Sequence, residues 1–234
     1  MRMLHEVHRS ERLLQRGRYQ YLISGQTGGY FEEFVITRLP NGQEVTRSEV
    51  NGLETHGGRL LLIHLVREPD GKPAWLRMRY GDGVLDSAAQ YTFKKANIRI
   101  ARQRHGYPVR QEVVDIATNY EVDYHAVIGM DYVWRGYPPT GMGEDLAIPV
   151  FSPDLWAEAD DRMTGRSFRY HVHPRGYEDC VIPAGRFEHA QTYEIMLSDG
   201  VRVEAWYDEM GLPLRWYYPD KGYDFMLETL ERRA

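Results

Sequence analysis

Three histidines and a glutamate carry the sharpest chemical pattern in the chain. His171-Val172-His173 lies in a run of strand-forming residues, Glu178 follows, and His189 comes shortly after Gly185. Side chains two apart on a strand share a face, so His171 and His173 can act together. Two or three histidines with a carboxylate can hold a divalent metal and leave positions open for substrate or oxygen. The same residues have a plainer reading. Ser167, Arg169, His171 and His173 alternate with Phe168, Tyr170 and Val172, which would put the histidines on the wetter face of a half-buried strand.

Other groups offer acid–base chemistry. His64 sits inside the apolar run LLLIHLV, either as a hydrogen-bonded core histidine or as a base whose pKa is moved by burial. Asp123 and His125 would share a face if extended, an arrangement that can orient a base, and Tyr170 offers a phenol. His5, His8, His56 and His105 fall near turns or the N-terminus and read as solvated. No serine stands in a Gly-x-Ser-x-Gly context. Cys180 follows Asp179, which disfavours a thiolate and suits a buried structural thiol. Gly25-Gln26-Thr27-Gly28-Gly29 lacks the lysine and helix of a phosphate loop. Glu32 and Glu33, like Asp160 and Asp161, would point in divergent directions, so neither forms an acid–base couple.

The elements that must position these groups are strands. From Gly17 the apolar period is two, with Tyr19, Tyr21 and Ile23 alternating against Arg18 and Gln20. Turn signals recur at Gly28-Gly29, Asn41-Gly42, Asp70-Gly71, Asp82-Gly83, Ser198-Asp199-Gly200, Glu209-Met210-Gly211 and Asp220-Lys221-Gly222. Leu60 to Val66 suits a strand covered on both faces. Strands are expected at 97–102, 109–116, 120–127 and 130–134. Residues 1–16 read as an N-terminal arm or short helix. Residues 136–164, rich in Pro and Gly, read as a plug or lid insertion, with Ser152-Pro153 starting a short helix over Asp154 to Met163. The expectation is all-β: a single curved antiparallel sheet forming an open barrel or clam over 17–234, with a short helical plug.

Composition sets bounds. The 234 residues carry a net charge of −5 without a basic block, which argues against nucleic acid as a partner. One cysteine excludes an internal disulfide and a Cys-rich zinc site. No run of about 20 apolar residues could span a bilayer as a helix. The N-terminus lacks the apolar core of a secretory signal, so a cytoplasmic location is expected. Tyrosine is abundant, 17 against 7 phenylalanines, which suits half-wet pockets where a ring packs and its hydroxyl bonds.

Two resemblances follow from these residues. Gly165, His171, His173, Glu178 and Gly185 resemble the first metal-binding motif of the cupins. The resemblance implies iron, manganese or zinc held by His171, His173, His189 and Glu178. The family's second motif would add a fourth ligand, a histidine, further downstream, but His189 is the last histidine here. The run from Pro183 to Leu214 is similar to the last hairpins of bacterial open-barrel proteins that resemble the lipoprotein-localisation carriers (the LolA/LolB-like superfamily). Ala184-Gly185-Arg186-Phe187, Tyr193, Trp206-Tyr207-Asp208 and Gly211-Leu212-Pro213-Leu214 carry that likeness. It implies a curved sheet around apolar chains, closed by a plug.

Three functions are compatible with these residues. The first is a container for an apolar or amphipathic small molecule, lined by Tyr21, Trp75, Tyr91, Tyr124, Trp134, Tyr193, Trp206 and Trp216. It would need no cofactor and could add acid–base chemistry through His64, His125, Asp123 or Tyr170. The second is a cupin-like metal enzyme. The third is a structural or interaction module, for instance a homodimer through an open sheet edge.

Overall fold

The computed structural model describes residues 7–52, 58–81, 86–136, 145–155, 157 and 161–233. The expected turn at Asp82-Gly83, His5, His56, and Trp156, Ala159 and Asp160 of the expected plug helix lie outside these. The chain folds as one 15-stranded sheet with a short helical plug. A first meander runs β1 (Arg12–Ile23), β2 (Gln26–Arg38), β3 (Glu44–Asn51), β4 (Leu60–Arg67), β5 (Pro73–Gly81), β6 (Asp86–Phe93), β7 (Asn97–Arg104) and β8 (Arg110–Asp115). The two-residue β9 (Glu121–Val122) precedes a helical stretch, a 3-10 turn over Val127–Asp131 continuing into α1 (Tyr132–Gly136). A second meander follows: β10 (Leu146–Pro153), β11 (Gly165–Ile182), β12 (Gly185–Met196), β13 (Arg202–Tyr207), β14 (Pro213–Tyr218) and β15 (Tyr223–Arg232).

The two meanders join because the first and last strands pair antiparallel, from Gln15 opposite Arg232 to Ile23 opposite Tyr223. All other pairs are antiparallel except β9, which lies parallel to β10 at the sheet's far edge. The sheet curls until its ends touch through side chains. The Phe151 ring of β10 lies 5.7 Å from Tyr91 and 6.1 Å from Phe93 on β6. The Tyr91 hydroxyl donates to the Met163 carbonyl at 2.6 Å. In the sheet β8 is paired only to β7 and β9 only to β10, so the barrel stays open between those edges.

Turn chemistry fixes the register. At Asn41-Gly42 the glycine takes φ +87°, which an L side chain rarely adopts, and Leu39 N–H closes the hairpin on the Gln43 carbonyl at 2.8 Å. Gly17, on the central strand β1, answers a different need. A Cβ there would lie 2.4 Å from the Thr229 carbonyl oxygen and 2.8 Å from the Phe34 ring. Gly17→Ala is therefore expected to cost about 1–3 kcal/mol by overpacking. Urea unfolding checks this, and an unchanged midpoint would contradict it.

Four expectations differ from the structure. Arg12 to Arg16 already belong to β1, and among the described residues before them none is helical. Glu11 accepts from Arg47 at 2.6 and 2.8 Å and from Thr37 at 2.9 Å, which lays the chain start along β2 and β3. In LLLIHLV, Leu61, Ile63 and Leu65 face the core, whereas on the other face Leu60, Leu62 and His64 are half-buried and Val66 is buried, so the second face is only partly covered. The stretches 120–127 and 130–134 are not long strands, because only Glu121–Val122 pairs and the rest forms the plug. Residues 146–153 are a sheet strand, and the described part of 154–163 makes a loop closed by Asp154 N–H to Thr164 O and Met163 N–H to Asp154 O.

The plug accounts for the difference at 120–134. Tyr124, Ala126, Val127, Ile128, Met130 and Val133 are buried inside the barrel. Among the described residues no strand pairs with them, so a helical turn satisfies some of their backbone groups internally and side chains meet others. The Tyr207 hydroxyl donates to the Met130 carbonyl at 2.7 Å, and the carboxylate of Glu32 receives the turn's first N–H groups.

Candidate functional site

Glu32 lies on the inward face of β2, in phase with Phe34 and Ile36, and is fully buried. Four donors converge on it. Tyr21 Oη at 2.9 Å and Val127 N at 2.6 Å reach one oxygen; Ser48 Oγ at 2.8 Å and Ile128 N at 3.2 Å reach the other. The carboxyl thus caps the 3-10 turn of the plug from across the barrel. Burial pushes its pKa up to about 7, against the pull of these hydrogen bonds.

A second carboxylate, Asp123, stands at the start of the plug and is 8% exposed. One oxygen accepts the His125 backbone N–H at 3.0 Å, and the other accepts the Tyr170 hydroxyl at 3.2 Å. Burial, then Asp123, holds the Tyr170 phenol far above its ordinary range. Neither Glu32 nor Asp123 forms an ion pair among the described residues.

Between these two acids the strand ends at one pole of the barrel carry a cluster of rings. Tyr21 stacks on Phe225 with centroids 4.3 Å apart. Tyr218 lies 5.5 Å from Phe225 and 6.2 Å from Tyr223. Tyr21, Tyr218 and Phe225 are half-buried and Tyr223 is exposed, so this ring cluster, called the mouth below, is partly open to solvent. Burial first, and then the charges of Asp123 and Asp199, push the Tyr218 phenol well above its ordinary range. The hairpin tips of β1–β2 and β14–β15 meet at this rim, where Ser24 N–H donates to the Gly222 carbonyl at 2.8 Å. An apolar body can rest on such rings while polar atoms meet phenols.

The sequence candidates separate in space. Of the eight expected liners only Tyr21 stands at the mouth. Tyr91, Tyr124, Tyr193 and Trp216 are buried as core, because the plug fills the hollow they were expected to line. Trp134 packs at Gly211, where a Cβ would lie 2.4 Å from its ring. Trp75 and Trp206 alternate out of phase with the buried residues of β5 and β13. Trp75 meets the His64 ring at 4.7 Å, and Arg215 sits 5.0 Å over Trp206.

Among the catalytic candidates Asp123, Tyr170 and His125 come together, and His64 does not join them. His125 Nε2 lies 2.5 Å from the Pro153 carbonyl and 3.2 Å from Ser152 Oγ. A carbonyl only accepts, so Nε2 carries the proton and cannot activate the Ser152 hydroxyl. The metal candidates do not converge. His171 and His173 are exposed, His173 pairs with Asp145 at 2.5 Å, and His189 is an exposed residue at a bulge with φ +53°. Glu178 accepts from the Trp206 indole N–H. Among the described residues no group of three or more His, Cys, Asp or Glu side chains stands ready to hold a metal. Cys180 is buried, and burial pushes its thiol up to about 11, as suits a structural residue.

The opposite pole holds a cleft of about 380 Å³ whose walls include Arg38, Glu44, Arg67, Glu68 and Arg135. Its charges answer one another. Arg67 reaches Glu121 and Asp131, both at 3.4 Å, while Arg135 bonds Asp131 at 2.5 Å and Glu44 at 3.2 Å. This network ties the plug to β3 and β4.

The arrangement is that of an open β-barrel with its centre plugged by its own chain and one aromatic pole. No family model matches the sequence, and no curated protein matches it. Among solved structures the chain is similar to the crystal structure of a DUF1089 family protein from Pseudomonas aeruginosa. The identity is 13%, the match covers 84% of this chain and 92% of that one, and the TM-score is 0.50. The likeness is one of fold. No helix among the described residues is long and apolar enough to cross a membrane.

Proposed function

We propose that the protein binds an apolar or amphipathic small molecule at the aromatic mouth. What supports the reading is the half-buried ring cluster of Tyr21, Tyr218 and Phe225 set between two tyrosine–carboxylate pairs. Apolar surface left half-wet at one pole gains by covering, at roughly 25 cal/mol per Å². A few fixed polar groups beside it can orient a guest. The reading assigns no catalytic step. Glu32 has a pKa suited to proton transfer, but its four donors and complete burial give it the work of holding the plug.

Nile red, an uncharged dye that brightens in apolar surroundings, tests the proposal with the full chain. Saturable binding is expected, weakened about tenfold or more by Phe225→Ala or Tyr218→Ala, a loss of at least one large ring contact. Trp75→Ala, on the outward side of β5, should leave the dye affinity unchanged. Equal binding by all variants would contradict the site.

A further inference from the structure

We infer that the mouth selects an organic cation, an alkylammonium with an apolar tail, over neutral or anionic amphiphiles. This rests on the mouth being the binding site. It adds the sign of the guest's charge, which the aromatic cluster alone does not set.

The first ground is the balance of charge. Glu32 accepts from Tyr21 of the ring cluster and Asp123 from Tyr170; both acids are buried, and neither forms an ion pair with a described residue. Asp199 adds a third carboxylate in the β12–β13 turn, where it holds Val201 N–H at 3.1 Å and likewise forms no described ion pair. Asp123 and Asp199 are among the strongest influences on Tyr170 and Tyr218 after burial, and both raise the two phenols. Buried acids without a counter-ion are costly, and a cation arriving over them relieves that cost.

The second ground is the rings. Ammonium groups are attracted to aromatic faces within about 6 Å of the centroid. Elsewhere on the protein arginines cover the rings of Phe31, Tyr80, Tyr107, Trp206 and Tyr217. Among the described contacts none of these guanidinium groups covers Tyr21, Tyr218, Tyr223 or Phe225. His125 meets Asp123 through its backbone N–H, and its ring Nε2 is spent on Pro153. Lys221, on the exposed rim turn, is the nearest described lysine in sequence to Tyr223.

Among the described residues the groups around Glu32 bring no compensating charge. Tyr19 and Tyr21 face it from β1, Ser48 from β3, and Tyr124 from the plug, and all are neutral near pH 7. A cation in the mouth favours the ionised carboxyl, so its affinity should rise as pH increases through the neutral range.

Displacement of Nile red by three decyl amphiphiles below their micellar concentrations tests the inference. The heads are trimethylammonium, sulfate and a neutral oligo(ethylene glycol). The ammonium is expected to displace the dye at about a tenth of the concentration the neutral compound needs, and the sulfate to be weakest. Asp123→Asn should narrow that ranking. Asp199→Asn, on an exposed turn, should narrow it without threatening the fold. Equal potency for all three heads, with the dye still bound at the mouth, overturns the charge preference and leaves the binding site standing. A preference untouched by both substitutions also overturns it. Failure of Nile red to bind saturably removes the site itself.

Discussion

Glu32→Gln is expected to remove a fall in stability that is predicted for the natural chain between pH 5 and pH 8. Glu32 is raised from 4.5 to about 7 in the folded protein. A carboxyl raised on folding holds its proton more tightly in the native state. Its contribution is therefore complete below the unfolded value of 4.5 and is lost as pH rises through 7. Over pH 5 to 8 that loss amounts to about 2–3 kcal/mol. Glutamine does not titrate, so the variant should lack this slope. It also turns an NH2 group toward either Val127 N–H or Ile128 N–H, because one of these meets each oxygen. An unmet backbone donor costs about 1–3 kcal/mol. The natural chain should thus be clearly more stable at pH 5, with the gap closing or reversing at pH 8. Urea unfolding at both values decides it, and parallel pH profiles for the two proteins would contradict the assignment.

Arg67→Met is expected to be the most damaging single change at the other pole, at about 3–5 kcal/mol. Arg67 is 2% exposed, donates to the Gly71 carbonyl at 3.0 Å, and reaches both Glu121 and Asp131. Methionine fills most of the volume but leaves those carboxylates with Arg135 alone. Glu121 is already raised, by burial first, and Arg67 is the strongest influence holding it down. Without Arg67 it should rise further, so the variant should recover part of its loss as pH falls and Glu121 takes a proton. Thermal unfolding at pH 7 and pH 5 checks this. A loss under about 1 kcal/mol would class the group with exposed surface pairs.

The sheet was legible because its signals are local. Alternation along Tyr19–Ile23 and Phe168–Val172, and turns such as Asn41-Gly42 and Asp70-Gly71, depend on neighbours a few residues away. The plug was misplaced because its cause is not local. Residues 120–134 have strand-like composition, yet beyond Glu121–Val122 they pass into the barrel's interior, where they pair with no described strand. The site suffered for the same reason. Glu32 stands in phase with Phe34 and Ile36, and that parity was the available signal that a glutamate points inward. Its partners Tyr21, Ser48, Val127 and Ile128 come from separate elements, which no spacing along the chain could reveal. The histidine pair was legible in its plainer reading: His171 and His173 share a face, and it is the outer, wetter one.

Chemical-shift mapping during a titration with decyltrimethylammonium tests the account most directly. The largest changes are expected at Tyr21, Tyr170, Tyr218 and Phe225, saturating together with one affinity. Changes concentrated in the Arg38, Arg67 and Arg135 cleft, or spread without saturation over the outer sheet, would contradict it.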